Sequence, residues 1–151
     1  MKFTKKLSIL ICVLALICTP LTGCDLGGPS VDITTISVEK EGEYISMEEV
    51  AAYIYQYGEL PDNYITKEEL VKKGWIPKNT TVDEIAPGRI VGGGTYIDET
   101  VEQAEGRIYY ECDVNYTEGA RGAERLVYSN DGMIYYTPDH YETFELLYEP
   151  S

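Results

Sequence analysis

The chain has 151 residues, 12 basic against 26 acidic side chains, and a formal net charge of −14 with a single histidine. Such acidity argues against a protein that holds nucleic acid through a broad basic surface, because that affinity rests mainly on cations at phosphates. One histidine and scattered carboxylates supply neither a His/Cys ligand cluster for zinc nor an Asp-rich calcium loop, so no metal and no cofactor is expected.

Lys2, Lys5 and Lys6 open the chain, and Leu7 to Cys18 is apolar over 12 residues apart from Ser8. That order and length are those of a secretory signal, too short to span a bilayer as a stable helix. The run leads into Leu21-Thr22-Gly23-Cys24, which resembles a bacterial lipobox. The resemblance implies that residues 1–23 are a lipoprotein signal peptide and that Cys24 carries a lipid. The protein would then be exported and sit on the outer face of the cell membrane through its acyl chains alone. The other reading is an ordinary cleaved signal with Cys24 left free and the protein secreted. Cleavage removes three basic residues and no acidic one, leaving nine against 26 and a charge of −17. Cys12 and Cys18 leave with the signal, and an acylated Cys24 leaves Cys112 no disulfide partner despite the export route.

Residues 24–43 include Gly27-Gly28-Pro29-Ser30 and lack an apolar period, so they read as a lipidated tether. Residues 44–151 have the size of one small domain. Ser46-Met47-Glu48-Glu49 has the form of a capping-box start. Val50, Tyr53, Ile54 and Tyr57 follow on one helical face, and Gly58 ends the helix. Thr66-Lys67-Glu68-Glu69 repeats the pattern for a short second helix that stops at Gly74, and Thr81-Val82-Asp83-Glu84 begins a single-turn third. Period two then takes over. Arg107 to Val114 alternates, Leu126–Ser129 and Met133–Thr137 flank the turn Asn130-Asp131-Gly132, and Thr143–Tyr148 reads as a last strand. Helices first and strands second predict an α+β domain, with N-terminal helices packed on one face of a C-terminal antiparallel sheet. The alternation places Ile108, Tyr110, Cys112 and Val114 toward the core. Arg107, Tyr109, Glu111 and Asp113 then face the other way, on a side of the sheet left open for a ligand.

The polar residues supply the candidates for chemistry. His140 is the single imidazole, in the string Asp139-His140-Tyr141, and Glu111 stands on the alternating strand. A carboxylate and an imidazole from different segments can make an acid–base couple. Lys67 falls in the first turn of a helix, where a cation opposes the helix dipole by about 0.3–1 kcal/mol but is reasonable if a phosphate visits. Asp113 with Arg121 and Arg125 has the types of an ion network. Taken singly, each of these is more often a solvated or structural side chain.

Together they carry a resemblance. Leu60-Pro61-Asp62-Asn63-Tyr64-Ile65-Thr66-Lys67, Gly74-Trp75, Ala86-Pro87-Gly88, Gly92-Gly93, Glu111-Cys112-Asp113-Val114-Asn115-Tyr116-Thr117, Gly119-Ala120-Arg121, Arg125, Tyr128-Ser129 and Asp139-His140-Tyr141-Glu142-Thr143-Phe144 are similar, in the same order, to the barnase-like secreted bacterial guanyl-preferring ribonucleases. The similarity runs from about Tyr44 to Tyr148, with a shortening of about two residues between Val101 and Gly106. It implies the barnase-like microbial ribonuclease fold. It also implies an endoribonuclease that cleaves single-stranded RNA without a metal, giving a 2′,3′-cyclic phosphate that water then opens.

In that family pattern Glu111 is the general base, His140 the general acid, and Lys67, Arg121 and Arg125 the cations at the phosphate. Tyr141 is a ring beside the phosphate, Asp113 the holder of both arginines, and Arg107 with Asp131 a structural ion pair. The family also implies a barstar-like inhibitor as a partner; a monomer is expected. One stretch departs. Where the family shows Ser-Asn-Arg-Glu in its base-recognition loop, this chain has Ile97-Asp98-Glu99-Thr100. The arginine is missing and the acid falls one place earlier, at Glu99, so Asp98, Glu99 and Thr100 are the base-binding candidates and guanine preference is not implied. The acidic surface and altered loop leave one other reading, a non-catalytic surface lipoprotein that uses the same fold as a binding module.

Overall fold

The structure is a computed structural model that describes residues 31–151. The signal peptide, Cys24 and the start of the tether lie outside the described residues.

Helix α1 runs Met47–Tyr57. The Ser46 side chain accepts from the Glu49 N–H at 3.3 Å, and Gly58 closes the helix in the left-handed region, φ 71°. Val50, Tyr53 and Ile54 are buried, and so are Met47, Ala51 and Ala52. The buried arc is wider than one periodic face because two things pack against α1. One is the sheet. The other is the segment before the helix, whose Ile33 and Val38 lie in the main core with Val50, Ile54, Cys112, Val114, Leu126 and Ile134. The Tyr53 and Tyr57 hydroxyls donate to the carbonyls of Lys40 (2.8 Å) and Val38 (3.2 Å). The packed domain therefore reaches back at least to Ile33, into the stretch read from sequence as a tether. Val31 and Ile36 pack against the same core, and the spacing of these four apolar residues keeps neither a strand nor a helix period, so the sequence does not announce the docking.

Strand β1 (Tyr64–Ile65) leads into α2 (Lys67–Lys72), and α3 (Val82–Ile85) follows. Both helices begin with reciprocal capping boxes, Thr66 with Glu69 and Thr81 with Glu84. They enclose a second small core of Ile65, Leu70, Trp75, Val82, Ala86 and Val91. Next come β2 (Ile90–Tyr96), β3 (Tyr109–Asp113), β4 (Arg125–Ser129), β5 (Ile134–Thr137) and β6 (Glu145–Tyr148). The six strands lie in sequence order; β1 runs parallel to β2 and every later neighbour is antiparallel. The fold is α+β. β2 has no counterpart in the sequence reading, because Gly92-Gly93-Gly94 conceals it. Those glycines have a use. The register shifts between Gly92 and Gly94, Gly93 has φ 89°, and a Cβ on Gly92 would lie 2.6 Å from Cys112 Cβ. The bulge and the close approach of β3 both need a missing side chain.

The far face of the sheet differs from the expectation of an open surface. Tyr109 and Asp113 are buried, and Tyr109 joins Val101, Val127, Met133 and Tyr135 in a third core edged by Tyr96, Tyr141 and Phe144. The segment between β2 and β3 folds over this face, and the Tyr109 hydroxyl donates to the Glu102 carbonyl at 2.6 Å. Ile108, expected inward, is 48 % exposed because regular pairing begins only at Tyr109. Arg107 Nε donates to both oxygens of Asp131 at 3.0 and 2.8 Å, which ties this covering segment to the β4–β5 turn.

Candidate active site

Beyond the third core the far face stays accessible around Glu111. This residue sits mid-sheet on β3, paired with Gly94 and Val127. Its two oxygens have different donors: Lys67 Nζ reaches Oε1 at 2.6 Å, and the Tyr141 hydroxyl donates to Oε2. The capping box fixes Lys67, because it sets the first turn of α2 against the end of β1. Only 13 % of the Glu111 side chain is exposed against 45 % for Lys67. Burial pushes the Glu111 carboxyl up, but the hydrogen bonds from Lys67 and Tyr141 and the charges of Lys67 and Arg121 outweigh it, and the net shift is downward. The carboxylate is thus held ionised at neutral pH. Tyr141 is driven the other way, first by burial and then by its bond to Glu111, so its hydroxyl stays a donor.

Two residues along β3, Asp113 gathers both arginines. Arg121 grips it with two parallel bonds, Nε to Oδ2 at 2.6 Å and Nη2 to Oδ1 at 2.7 Å. Arg125 Nε lies 2.8 Å from Oδ1 without its N–H being aimed there; its Nη1 donates to the carbonyls of Gly122 and Glu124, both at 2.7 Å. Asp113 and Arg125 are 2 % and 3 % exposed, so the pair is a fixed part of the interior. Arg121 is less deeply set, and its charge acts on Glu111. Its guanidinium is destabilised by burial but more strongly favoured by Asp113, and it remains charged.

His140 is exposed, in the turn between β5 and β6. Its ring centroid is 4.8 Å from that of Tyr141, whose hydroxyl is on Glu111, so a single tyrosine separates the imidazole from the carboxylate. Both His140 and Tyr141 have left-handed backbones, φ 59° and 74°, a conformation that costs non-glycine residues energy and persists only where the surroundings enforce it. Asp139 enforces it. Its carboxylate accepts from the Thr137 hydroxyl (3.0 Å), the Glu142 and Thr143 N–H groups (3.1 and 2.8 Å) and the Thr143 hydroxyl (2.5 Å). The His140 N–H donates to the Ala123 carbonyl at 3.2 Å, and the Tyr141 N–H to the Thr137 hydroxyl at 2.9 Å.

The remaining candidates lie past the end of β2. The exposed Asp98 carboxylate accepts from the Thr100 N–H at 2.9 Å, and that bond holds it below the usual carboxylate range. Gln103 Nε2 donates to the carbonyls of Asp98 and Val101 at 2.9 and 3.0 Å. The Thr100 hydroxyl is 3.5 Å from that of Tyr96. Glu99 is exposed, and Ile97 is 91 % exposed. This loop joins the site through Tyr96, whose ring stacks on Tyr141 at 5.1 Å and 26°. Lys67, Glu111, Arg121, Arg125, His140 and Tyr141 are thus brought together. Asp98, Glu99 and Thr100 lie one aromatic ring further off, and the Arg107–Asp131 pair lies where the covering segment meets the β4–β5 turn. No role for Tyr96 or Asp139 is legible in the sequence. A tyrosine beside three glycines and an aspartate before the histidine are weak signals until the turn and the stack are seen.

Cys112 is buried in the main core, and burial pushes its thiol far up, so it serves packing.

The chain is similar to known proteins. A family model described as ribonuclease matches residues 47–148. A ribonuclease of Bacillus intermedius is 39% identical over 128 residues, covering 83% of this chain and 79% of that protein. One from Heyndrickxia coagulans is 45% identical over 97 residues, 63% of this chain and 89% of its own length. A third, from Bacillus pumilus, is 45% identical over 97 residues, 63% of this chain and 60% of that protein.

Proposed function

The chain belongs to the ribonuclease family and is an endoribonuclease, and from that premise we propose a metal-independent transesterification of single-stranded RNA with Glu111 and His140 as the proton-transfer couple. Glu111 takes the proton of the ribose 2′-hydroxyl. The 2′-oxygen forms a bond to phosphorus, the bond to the 5′-oxygen breaks, and His140 supplies the proton that this oxygen needs to leave. The products are a 2′,3′-cyclic phosphate and a free 5′-hydroxyl. In the second step water attacks the cyclic phosphate with the two roles exchanged, and a 3′-phosphate remains.

The observation that carries this reading is the state of Glu111. It is ionised and held in a fixed direction by Lys67 and Tyr141, with the His140 ring beside that of Tyr141. Both donors are also groups suited to a phosphate. As the 2′-hydroxyl approaches Glu111, Lys67 and Tyr141 are free to transfer their hydrogen bonds to the phosphoryl oxygens, where Arg121 adds a fixed charge. Preorganised donors at the place where negative charge grows lower the barrier most. Arg125 keeps Asp113 neutralised, so that Arg121 stays directed outward. In the loop, Asp98 is already occupied by Thr100, which leaves Glu99 as the free carboxylate for a base edge.

The mutual test uses a defined RNA in excess chelator. Cleavage persists in the wild-type chain and falls at least a hundredfold in Glu111→Ala and in His140→Ala. Undiminished cleavage in either variant would refute the assignment. The acidic composition and the altered loop, which favour a non-catalytic binding module, do not account for a carboxylate held by Lys67 and Tyr141 beside His140.

The place of action is also part of the proposal. The order of charges and apolar residues in Lys2–Cys24 supports export and lipid attachment at Cys24. Metabolic labelling with a radioactive fatty acid tests it: label on the wild-type chain and none on Cys24→Ser is expected, and an unlabelled wild-type chain refutes it. A barstar-like inhibitor, if one is made with the enzyme, would be expected to present carboxylates to Lys67, Arg121 and His140.

A further inference from the structure

Asp83 stands on α3 and has no part in the chemistry above, yet its carboxylate reaches the turn that leaves β3. Oδ2 accepts from the Tyr116 hydroxyl and from the backbone N–H of Gly119, the latter at 3.1 Å. Two residues after Gly119 comes Arg121, the cation whose charge acts on Glu111. The turn is fastened at its start by Asn115, whose N–H donates to the Ile45 carbonyl at 2.7 Å and whose side chain accepts from the Met47 N–H at 2.9 Å. It is fastened at Arg121 by Asp113. Among the described residues, Asp83 is the hydrogen-bonding side chain from another element that holds the piece in between. Gly119 itself has φ 99°, so the chain reverses sharply there, and a change at that point swings the backbone that follows.

We propose that Asp83 is a positioning residue for Arg121, an anchor on α3 that fixes the β3–β4 turn and so aims the guanidinium at the scissile phosphate. The proposal rests on the reaction proposed above. Asp113 alone does not aim Arg121: a bidentate pair fixes the guanidinium plane relative to the carboxylate, but the backbone from which the arginine reaches decides which edge is left for a substrate. The Tyr116 hydroxyl bond holds Asp83 below the usual carboxylate range, so the anchor is ionised at neutral pH and its two donors stay engaged.

The test is a double-mutant cycle in the full-length chain, read on cleavage of an NpN dinucleotide and, separately, on the binding of inorganic phosphate followed by NMR. Asp83→Ala should lower kcat about tenfold with a smaller change in KM, inside the roughly hundredfold that a misplacement of an ångström costs. In an Arg121→Ala background the same substitution should cost less than twofold, because the residue it acts through is gone. Asp83→Asn keeps an oxygen able to accept both bonds and should recover most of the loss. Tyr116→Phe, which removes one bond and leaves the carboxylate, gives a smaller loss in the same direction if Asp83→Ala does not fold. Phosphate affinity should fall severalfold in Asp83→Ala and not in Asp83→Asn. Equal losses in both backgrounds, or Asn no better than Ala, would overturn the proposal. A wild-type chain that cleaves no RNA would sink the reaction scheme instead, and the phosphate titration with the same cycle would still decide on Asp83.

Discussion

Replacing Tyr141 by phenylalanine removes one hydroxyl and leaves the ring that stacks on Tyr96. The lost bond is charge-assisted and goes to a carboxylate that is mostly buried but keeps Lys67, so Glu111 is not orphaned. A bond of this kind contributes about 1.5 kcal/mol, the low end of the range for charged groups, equivalent to a fall in Tm of roughly 6–12 °C for a small domain. The pH dependence has a definite sign. The folded-state pKa of Glu111 lies below its ordinary value, so its stabilisation is present at neutral pH and is lost as the pH falls through the folded value. Tyr141→Phe removes part of what depresses that pKa. The stability difference between wild type and variant should therefore be full at pH 7 and shrink once Glu111 is protonated. The acid limb of kcat/KM should move to higher pH in the variant. Urea unfolding at a series of pH values, with dinucleotide cleavage over the same range, measures both. An equal stability loss at pH 3 and pH 7 together with an unmoved acid limb would show that the hydroxyl has no influence on Glu111.

Other substitutions test other parts of the account. Asp113→Ala leaves the buried Arg125 without its counter-charge and should cost about 3–5 kcal/mol in denaturant unfolding; a loss below 1 kcal/mol would mean that the backbone carbonyls alone satisfy Arg125. Gly92→Ala drives a methyl into Cys112 and Tyr64, and a cost of about 1–3 kcal/mol should come with lowered kcat, since the displaced strand carries Glu111; wild-type stability would show that β2 can slide. Glu99→Ala should alter the ratio of cleavage rates among the four NpN dinucleotides. Asp98→Asn, which keeps an acceptor for Thr100, should leave that ratio as it is, and the reverse pattern would place base reading on Asp98.

The parts of this fold that the sequence reveals are those with local causes. The capping patterns at Ser46, Thr66 and Thr81 each start a helix, and the runs Arg107–Val114, Leu126–Ser129 and Met133–Thr137 each fall on a strand, because a cap or a period of two is written within a few residues. What stays hidden depends on distant partners. β2 reads as a glycine loop until Cys112 and Tyr64 are seen pressed against Gly92. The docking of Ile33 and Val38 needs α1 to be in place, and the burial of Tyr109 needs the 97–108 segment folded above it. The same division holds for the site. Residue types and order mark Glu111, His140, Lys67 and the arginines, but only the fold shows both Glu111 oxygens occupied, or Asp139 holding the left-handed turn beneath His140. Asp83 and Tyr96 carry no local mark at all.

The central claim is that a carboxylate and an imidazole pass protons on opposite sides of one phosphodiester with no metal between them. Phosphorus NMR of a dinucleotide digest in excess chelator tests it most directly. A 2′,3′-cyclic phosphate resonance should rise first and give way to a 3′-phosphate. A 5′-phosphate product, or cleavage that stops when divalent ions are withdrawn, would contradict it.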